Sequence, residues 1–239
     1  MSELNINIFH YKSLESTNKT ALEISKWKHL DTVVADNQSR GKGRFGRTFY
    51  SECGLYMSVI LDPQRIQSKI QNCTPAAALA VVEALSEAGI DGLKIKWVND
   101  IFSDGKKICG ILTEAQSVSR HIDKIVVGIG ININVPQESF PDEIKNKAGS
   151  IVFDGDKLEL AKAIAKNLDK YTSLSKEEIA IKYNENLAFV GSEITVHNYA
   201  NNFEKVTGKV IGVDENCYLM LETKDGDILH IYSGEICDK

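Results

Sequence analysis

The 239-residue chain contains no run of apolar residues approaching the roughly 20 that a membrane-spanning helix requires. Its start, MSELNINIFHYK, lacks the basic-then-apolar order of a secretory signal, so a soluble, cytoplasmic protein is expected. No C-x-x-C pair occurs among the five cysteines, Cys53, Cys73, Cys109, Cys217 and Cys237. Their odd number and wide spacing fit free thiols in a reducing compartment, not a disulfide framework. His10, His29, His121, His197 and His230 are equally scattered, so the sequence nominates neither a zinc site nor a Cys-His or Ser-His pair. Repeats and low-complexity tracts are absent as well. Positive charge is in deficit, with 28 Lys+Arg against 33 Asp+Glu and a formal net charge of -5, which argues against a generic nucleic-acid coat.

What the chain does have is ordinary globular composition, 43% hydrophobic and 26% charged, and length for one large domain plus a small one. Alternating or continuously apolar runs bounded by turn residues predict strands at INIFHY, TVVADN, LYMSVIL, LKIKWV, KICGILTEA and KIVVGIGININ. Between them TPAAALAVVEALSEAG predicts a helix with Thr74 as N-cap, Pro75 in the first turn and Gly89 past the end. Two more helices are expected from Leu158 to about Leu174 and from Lys176 to Leu187, with QESFPDEIKNKAGS before them as a surface loop. After Phe189 the pattern changes to short strands, EITVH, FEKVTGKVIGV, CYLMLET and ILHIYSG, joined by polar turns such as Asp225-Gly226. These form a small β module whose architecture is expected to be an SH3-like barrel packed on the larger domain. The division expected is residues 1–189 and 190–239.

Four stretches carry chemistry. In NQSRGKGRFGRTFYS, Arg40, Lys42, Arg44 and Arg47 stand among Gly41, Gly43 and Gly46. Glycines let the backbone approach an anion closely while cations add charge-assisted hydrogen bonds, so this is a phosphate-handling loop in physical terms. It is not a Walker loop, because G-x-x-x-x-G-K-[ST] is absent. A solvated surface loop is the bland alternative, and RGG-like nucleic-acid binding an intermediate one. In KIKWVNDIFSDGKKICGIL, a period of two places Lys94, Lys96 and Val98 on one face and Ile95, Trp97 and Asn99 on the other. A lysine in a buried strand needs an anionic partner, and a bound carboxylate or phosphate would be one. Asn99-Asp100 alternatively opens a turn through Ser103-Asp104-Gly105. In VVGIGININ, the same period puts Gly128, Gly130, Asn132 and Asn134 on one face, a slot lined by amides, unless the glycines serve a bulge or tight packing. In LESTNKTALEISKW, Ser16 or Thr17 before a helical pattern reads as an N-cap whose hydroxyls could also hold a polar ligand group.

The order ESTN, QSRGKGRFGR, KWVNDI with KKICGIL, then GIGININ and a small β module resembles the biotin protein ligases, also called biotin–[acetyl-CoA-carboxylase] ligases or holocarboxylase synthetases, over nearly the whole chain. The resemblance implies an α+β fold, a mixed sheet flanked by helices related to class II aminoacyl-tRNA synthetase catalytic domains, with the SH3-like module behind it. It implies activation of biotin by MgATP to biotinyl-5'-AMP with release of pyrophosphate, then transfer to a lysine of a biotin carboxyl carrier domain. Ser16, Thr17, Asn18, Gln38, Gly41, Lys42, Arg44, Lys96 and Gly110 would meet biotin, with Arg44 and Lys96 as the catalytic cations. Arg44, Arg47, Phe49, Asn99, Asp100, Gly128, Gly130, Asn132 and Asn134 would meet ATP or the adenylate, and Asp100 would hold Mg2+. Lys42 stands where the family carries arginine, Phe45 at a commonly polar or basic position, and Val98 in place of the proline of K-W-P-N-D. Only about 15 residues precede Ser16, so a helix-turn-helix repressor module and operator binding are not expected. Homodimers occur in the family. A lipoate-protein ligase is the enzymatic alternative, although R-R-x-S-G-G-G is absent, and a non-catalytic small-acid binder is the other.

Overall fold

The protein was analysed as a computed structural model, and the structure describes residues 4–47, 49, 53–67, 70–119, 121–200 and 204–237. Thr48, Tyr50 and Ser51 of the basic segment and Phe203 of the FEKVTGKVIGV strand lie outside the described residues, as does the side chain of Phe45.

Seven strands form one mixed sheet: β1 (Ile8–Leu14), β2 (Thr32–Gln38), β3 (Gly54–Leu61), β4 (Lys94–Lys96), β5 (Asp100–Ser103), β6 (Lys106–Val118) and β7 (His121–Asn132). Their order is β1-β2-β3-β7-β6-β5-β4, with β1 and β2 parallel and the other neighbours antiparallel. The two faces of this sheet are covered differently, and that difference positions the site. The Val34, Val59, Val127 and Ile129 side packs into the main core under α2 (Cys73–Glu87) and α3 (Lys157–Thr172), with α4 (Lys176–Asn186) against α2. On the opposite side, Val33, Ile60 and Val126 pack against Ala21 of the short helix α1 (Thr17–Glu23). α1 covers only part of that face, and the rest is open to a cleft.

Sequence expectation and structure differ at several points. LKIKWV keeps strand geometry only to Lys96; Trp97–Asn99 turn, and Asp100–Ser103 return as β5 pairing back on β4. The turn expected to run from Asn99-Asp100 through Ser103-Asp104-Gly105 is instead two turns, Trp97–Asn99 and Asp104-Gly105, with β5 between them, and the alternation stops at Lys96. α2 begins at Cys73 with Asn72 as N-cap, so Thr74 is inside the helix, where its hydroxyl meets that of Thr113 at 2.7 Å. Pro75 stays in the first turn, where its missing N–H is harmless. Gly89 follows the helix at φ +85°, the left-handed conformation that glycine adopts freely. The caps of the later helices are conventional: Asp156 accepts from Leu158 and Glu159 N–H, and Ser175 with Glu178 forms a capping box.

The C-terminal strands are β8 (Glu193–Asn198), β9 (Glu204–Val213), β10 (Leu219–Glu222), β11 (Ile228–Ile231) and β12 (Gly234–Ile236), so ILHIYSG gives two strands instead of one. They form an antiparallel sheet in the order β11-β10-β9-β8-β12. The small β module is thus present, but among the described residues no pairing joins β11 to β12 to close a barrel. Its apolar side joins the main core, and Trp97 Nε1 donates to the Cys217 carbonyl at 3.0 Å across the junction. No helix among the described residues is long and apolar enough to cross a membrane.

Candidate active site

A cleft of about 340 Å³ opens on the α1 side of the large sheet, within the size range of small-molecule sites. Four of its walls come from the four stretches singled out above. The fifth and sixth are the 137–148 loop and strand β12.

The α1 wall is built first by local rules. Ser16 is the N-cap of α1, its hydroxyl accepting from Lys19 N–H. That fixes Thr17 and Asn18 in the first turn, both buried. Gln38 Oε1 accepts from Thr17 N–H at 2.7 Å and Thr17 Oγ1 at 3.1 Å, so its Nε2 is the group left to serve as donor. Ser58 Oγ, on β3, lies 2.6 Å from Asn18 Oδ1 and 2.8 Å from Thr17 Oγ1. Asn18 Nδ2 donates to Glu114 Oε2 at 2.7 Å and to the Leu112 carbonyl at 3.3 Å. Asn18 is therefore committed within the protein.

This explains the glycine pattern of β7. A Cβ on Gly128 would lie 2.1 Å from Asn18 Oδ1, and one on Gly130 would lie 2.7 Å from the Phe49 ring. The slot expected over GIG is real, and the protein's own Asn18 and Phe49 occupy it. Phe49 also touches Gly110 and sits edge-on to Tyr56, with ring centroids 6.4 Å apart. Asn132 ends β7 on the cleft side; its Nδ2 donates to the Gly149 carbonyl at 2.8 Å, while its buried Oδ1 has no partner.

Two residues expected on the cleft do not line it. Asn134 lies past the end of β7 at φ +55°, exposed, and its side chain pairs both ways with the Phe153 backbone. The strand's period of two no longer applies there. Gly41 is buried behind the basic segment, where its carbonyl accepts from Phe49 N–H at 2.9 Å and a Cβ would meet the Phe49 carbonyl at 2.9 Å. It shapes the loop that carries Phe49. The other expected site residues line the cleft: Ser16, Thr17, Asn18, Gln38, Lys42, Arg44, Arg47, Phe49, Lys96, Asn99, Asp100, Gly110, Gly128, Gly130 and Asn132.

The centre is cationic. Arg44 begins a 3₁₀ helix, Arg44–Gly46, and its Nη1 donates to Asn99 Oδ1 at 3.2 Å and to the Gly234 carbonyl at 3.3 Å. Asn99 is itself held by donating to the Ile111 carbonyl at 3.0 Å. Burial lowers the Arg44 pKa from its ordinary value, opposed by Asp100, Tyr199 and Glu235, and a guanidinium stays charged under such a shift. Lys96, largely buried, stands 5.3 Å over the Phe102 ring. Sequence reasoning missed Lys107, whose Nζ lies in the cleft 2.6 Å from Asp100 Oδ1. Strict alternation would set Lys107, three residues before Gly110, on the opposite face of β6; the register shift in the β5–β6 pairing between Ile101 and Phe102 lets both reach the cleft, and the sequence pattern carries no signal for it.

The remaining walls were also missed. The 137–148 loop, expected merely as surface, contributes Glu143, Ile144, Lys147 and Ala148. It is held by Gln137 Nε2 donating to the Lys145 and Ala148 carbonyls, by Lys107 N–H to the Lys147 carbonyl at 2.7 Å and by the buried Phe140. β12 contributes Glu235 and Ile236. Glu235 takes two hydrogen bonds from Arg47 and one from Tyr199 Oη at 2.6 Å. The Arg47 bond, with Tyr199 adding to it, holds the Glu235 carboxyl down at about 2 against the cost of burial. Nothing in a sequence separation of 188 residues announces such a pair.

Among the described residues no cysteine lines the cleft. Burial pushes the thiols of Cys73 and Cys217 up to about 12 and that of Cys109 higher still, so these sulfurs stay protonated at neutral pH. The cleft instead suits two ligand anions meeting at fixed cations, with one polar end at Gln38 and another at Asn132.

Comparison with known proteins agrees with that class. Residues 10–132 match the Biotin/lipoate A/B protein ligase family, and residues 191–237 match the Biotin protein ligase C terminal domain. The Bifunctional ligase/repressor BirA of Bacillus subtilis is 34% identical over 96% of this chain and 73% of its own length. The Biotin--[acetyl-CoA-carboxylase] ligase of Paracoccus denitrificans is 34% identical over 50% of this chain and 51% of its own. Among solved structures, the Aquifex aeolicus biotin protein ligase in complex with biotin and ATP superposes with a TM-score of 0.79 at 33% identity, covering 97% of each chain. The chain belongs to the biotin protein ligase family, a family of ligase enzymes.

Proposed function

We propose that this cleft binds biotin and ATP, joins them as biotinyl-5'-AMP and passes the biotinyl group to a lysine of a biotin carboxyl carrier domain. The observation that carries the reading is the convergence of Arg44, Lys96 and Lys107 between a fixed hydrogen-bonding end and an amide-lined end of one cleft. The polar head of biotin would lie at Ser16, Thr17 and Gln38, whose Nε2 is the available donor; Asn18 would act by holding that wall, and Gly41 and Lys42 by shaping the loop beside it. Its carboxylate would reach Arg44, Lys96 and Lys107 beside Gly110. The nucleotide would take the side lined by Gly130, Asn132, Ile144 and Ala148, where the orphaned Asn132 Oδ1 would accept from an N–H donor of the base.

In the first step a biotin carboxylate oxygen attacks the α-phosphorus, the bond to the β-phosphate oxygen breaks and pyrophosphate leaves. Two anions resist approach, so cations fixed at the reacting oxygens lower the barrier more than they aid ground-state binding. In the second step the carrier lysine, as free amine, attacks the acyl carbon; the carbon–oxygen bond breaks, AMP leaves and the amine proton passes to solvent. The nucleophile arrives on the partner, which accounts for a site without an activated thiol or hydroxyl. Phe49, on the basic loop, would help keep water from the adenylate.

Mg2+ typically takes one or two carboxylates and completes its shell with phosphate oxygens and water. Asp100 is a cleft carboxylate of that kind, and among the described residues no three His, Cys, Asp or Glu converge into a protein cage. The donor set fits an ion carried by the nucleotide, held by Asp100, that would neutralise phosphate charge. Lys107 would then exchange its Asp100 partner for a ligand oxygen. Arg47 and Asn99 would support the phosphate side from the basic loop and the β4–β5 turn.

The match of residues 191–237 to the Biotin protein ligase C terminal domain favours biotin over lipoate. Repression, part of the Bacillus protein's name, stays with that protein. The division into residues 1–189 and 190–239 is proposed with the same function, the second part supplying β12 to the cleft. The test is intact mass after incubation with biotin, MgATP and an apo carrier domain. Gain of one biotinyl group on the carrier, lost without ATP or in Arg44→Ala, supports the reading; absence of transfer and of biotin-dependent pyrophosphate release by folded protein refutes it.

A further inference from the structure

β7 carries a lysine between Ile122 and Val126, the apolar neighbours on its own face of the strand. Lys124, Val126, Gly128, Gly130 and Asn132 share one face of the strand, and whereas the last three line the cleft, Lys124 lies under the far end of α1. The residue is 2% exposed, and its Nζ donates to the carbonyls of Ala21, Leu22 and Ile24 at 3.2, 3.0 and 2.8 Å. The ring of Trp27 covers the ammonium at 5.8 Å. None of this serves the reaction directly.

α1 needs such a partner. Its seven residues are fewer than the roughly 12 that give even a marginal isolated helix. The last carbonyls of any helix have no partner within it, and a cation near them is favourable. α1 has no basic residue in its last turn, and the chain leaves it in extended geometry at Ile24 without a glycine cap. One buried ammonium from a neighbouring strand therefore satisfies three groups that the local sequence leaves open. The other end of the same helix is Ser16, Thr17 and Asn18, and through Thr17 it also fixes Gln38.

We propose that Lys124 is a positioning residue for biotin: by clamping the C-terminus of α1 it keeps the N-terminal turn of that helix in its binding arrangement, more than 100 residues away in sequence from the groups it serves. The inference rests on the biotin reading of the α1 end of the cleft. Removing the clamp lets α1 fray, and apparent affinity falls by the fraction of molecules in which the turn is formed. The nucleotide side, at Gly130, Asn132, Ile144 and Ala148, lies away from the hydrogen bonds that α1 makes to Gln38, Ser58, Leu112 and Glu114.

The test measures biotin-dependent pyrophosphate release with biotin and ATP varied separately. Lys124→Met, which keeps the apolar stem and removes the donor, is expected to raise KM for biotin roughly tenfold while KM for ATP and kcat stay within about twofold. Leu168→Ala, a cavity in α3 on the opposite face, serves as the control, lowering Tm without splitting the two KM values. An unchanged biotin KM, or equal rises in both, overturns the proposal. Hydrogen exchange without any substrate reads the clamp by itself: α1 amides should exchange roughly tenfold faster in Lys124→Met, with α3 and α4 unchanged. Unchanged α1 exchange overturns the clamp even if the wild type proves inactive, an outcome that would separately sink the ligase reading. Should Lys124→Met fail to fold, Lys124→Gln, which retains two donors, is read by the same two assays.

Discussion

Replacing Gly128 by alanine is the sharpest perturbation the cleft allows. The new Cβ would sit 2.1 Å from Asn18 Oδ1, 2.7 Å from its Cγ and 2.9 Å from its Nδ2, distances at which one side must move. Asn18 has no easy retreat, because Ser58 holds one end of its amide and Glu114 with the Leu112 carbonyl holds the other. Gly128 is equally fixed, lying between β3 and β6 in register with Ser58 and Leu112. The change should therefore expel Asn18. A neutral hydrogen bond lost is worth about 1 kcal/mol and one to a carboxylate about 1.5–3, so losing the Ser58, Leu112 and Glu114 bonds costs about 3.5–5 kcal/mol. For a chain of this size that is a fall in Tm of roughly 7–20 °C. Thermal unfolding checks the magnitude, and KM for biotin should rise because Thr17 shares Ser58 with Asn18. Combining Gly128→Ala with Asn18→Ala tests the cause. If the clash is responsible, the double variant is no less stable than Asn18→Ala alone, a strong departure from additivity. Additive losses, or a Tm within about 1 °C of wild type in the single variant, would refute the argument.

Three further outcomes follow from the same geometry. Gly130→Ala meets the ring of Phe49, which a loop carries, so its Tm should fall less than that of Gly128→Ala while pyrophosphate release changes, as differential scanning calorimetry and kinetics would show. Arg44→Ala should reduce adenylation by about 10²–10³, the loss typical of a fixed donor at a developing charge, with a stopped assay on purified protein as the check. Glu235 has its folded pKa depressed to about 2 from 4.5, so its contribution is present above about 4.5 and disappears as pH falls toward 2. Because its side chain is 36% exposed, the effect of Glu235→Gln in urea unfolding should be under about 1 kcal/mol at pH 6 and absent near pH 2; a pH-independent difference would contradict the assignment.

Much of the frame was legible because it depends on local pattern. The period of two in KIVVGIGININ located β7 and its glycine face, and Ser16 announced the cap of α1. Legibility failed wherever geometry passed from one element to another. Asn134 stayed on the expected face only as long as the strand lasted, and the strand ends at Asn132. Lys96 and Asn99 were assigned to opposite faces of one strand, yet the Trp97–Asn99 turn brings both to the cleft. Polar composition made 137–148 read as a loop, which it is, but composition does not say that Gln137 ties it to itself while the Lys107 backbone pins it to β6 as a wall. Glu235 and Lys124 were illegible for a stronger reason: each acts on residues about 100 or more positions away.

The charge of the cleft resolves the tension between an acidic chain and a cationic loop. Among the described residues the cleft is lined by Lys42, Arg44, Arg47, Lys96, Lys107 and Lys147 against Asp100, Glu143 and Glu235, a positive surplus inside a chain of formal charge -5. Two of those carboxylates are engaged, Asp100 by Lys107 and Glu235 by Arg47. Such pairs do more than neutralise. They hold cations at defined positions before any ligand arrives, and orientation supplied in advance need not be paid for at the transition state. They also make the cations exchangeable, since Lys107 can leave one carboxylate for another oxygen at little net electrostatic cost. An all-cationic cleft would bind any polyanion tightly; one with paired partners favours an anion whose geometry matches the displaced carboxylates. Removing the charge of Asp100 should therefore not simply strengthen nucleotide binding. Asp100→Asn frees Lys107 but removes the group that aims it, and the expected result is retained ATP affinity with a fall in kcat, separable by equilibrium binding and single-turnover adenylation; a variant with undiminished kcat would show that the pairing has no part in positioning Lys107.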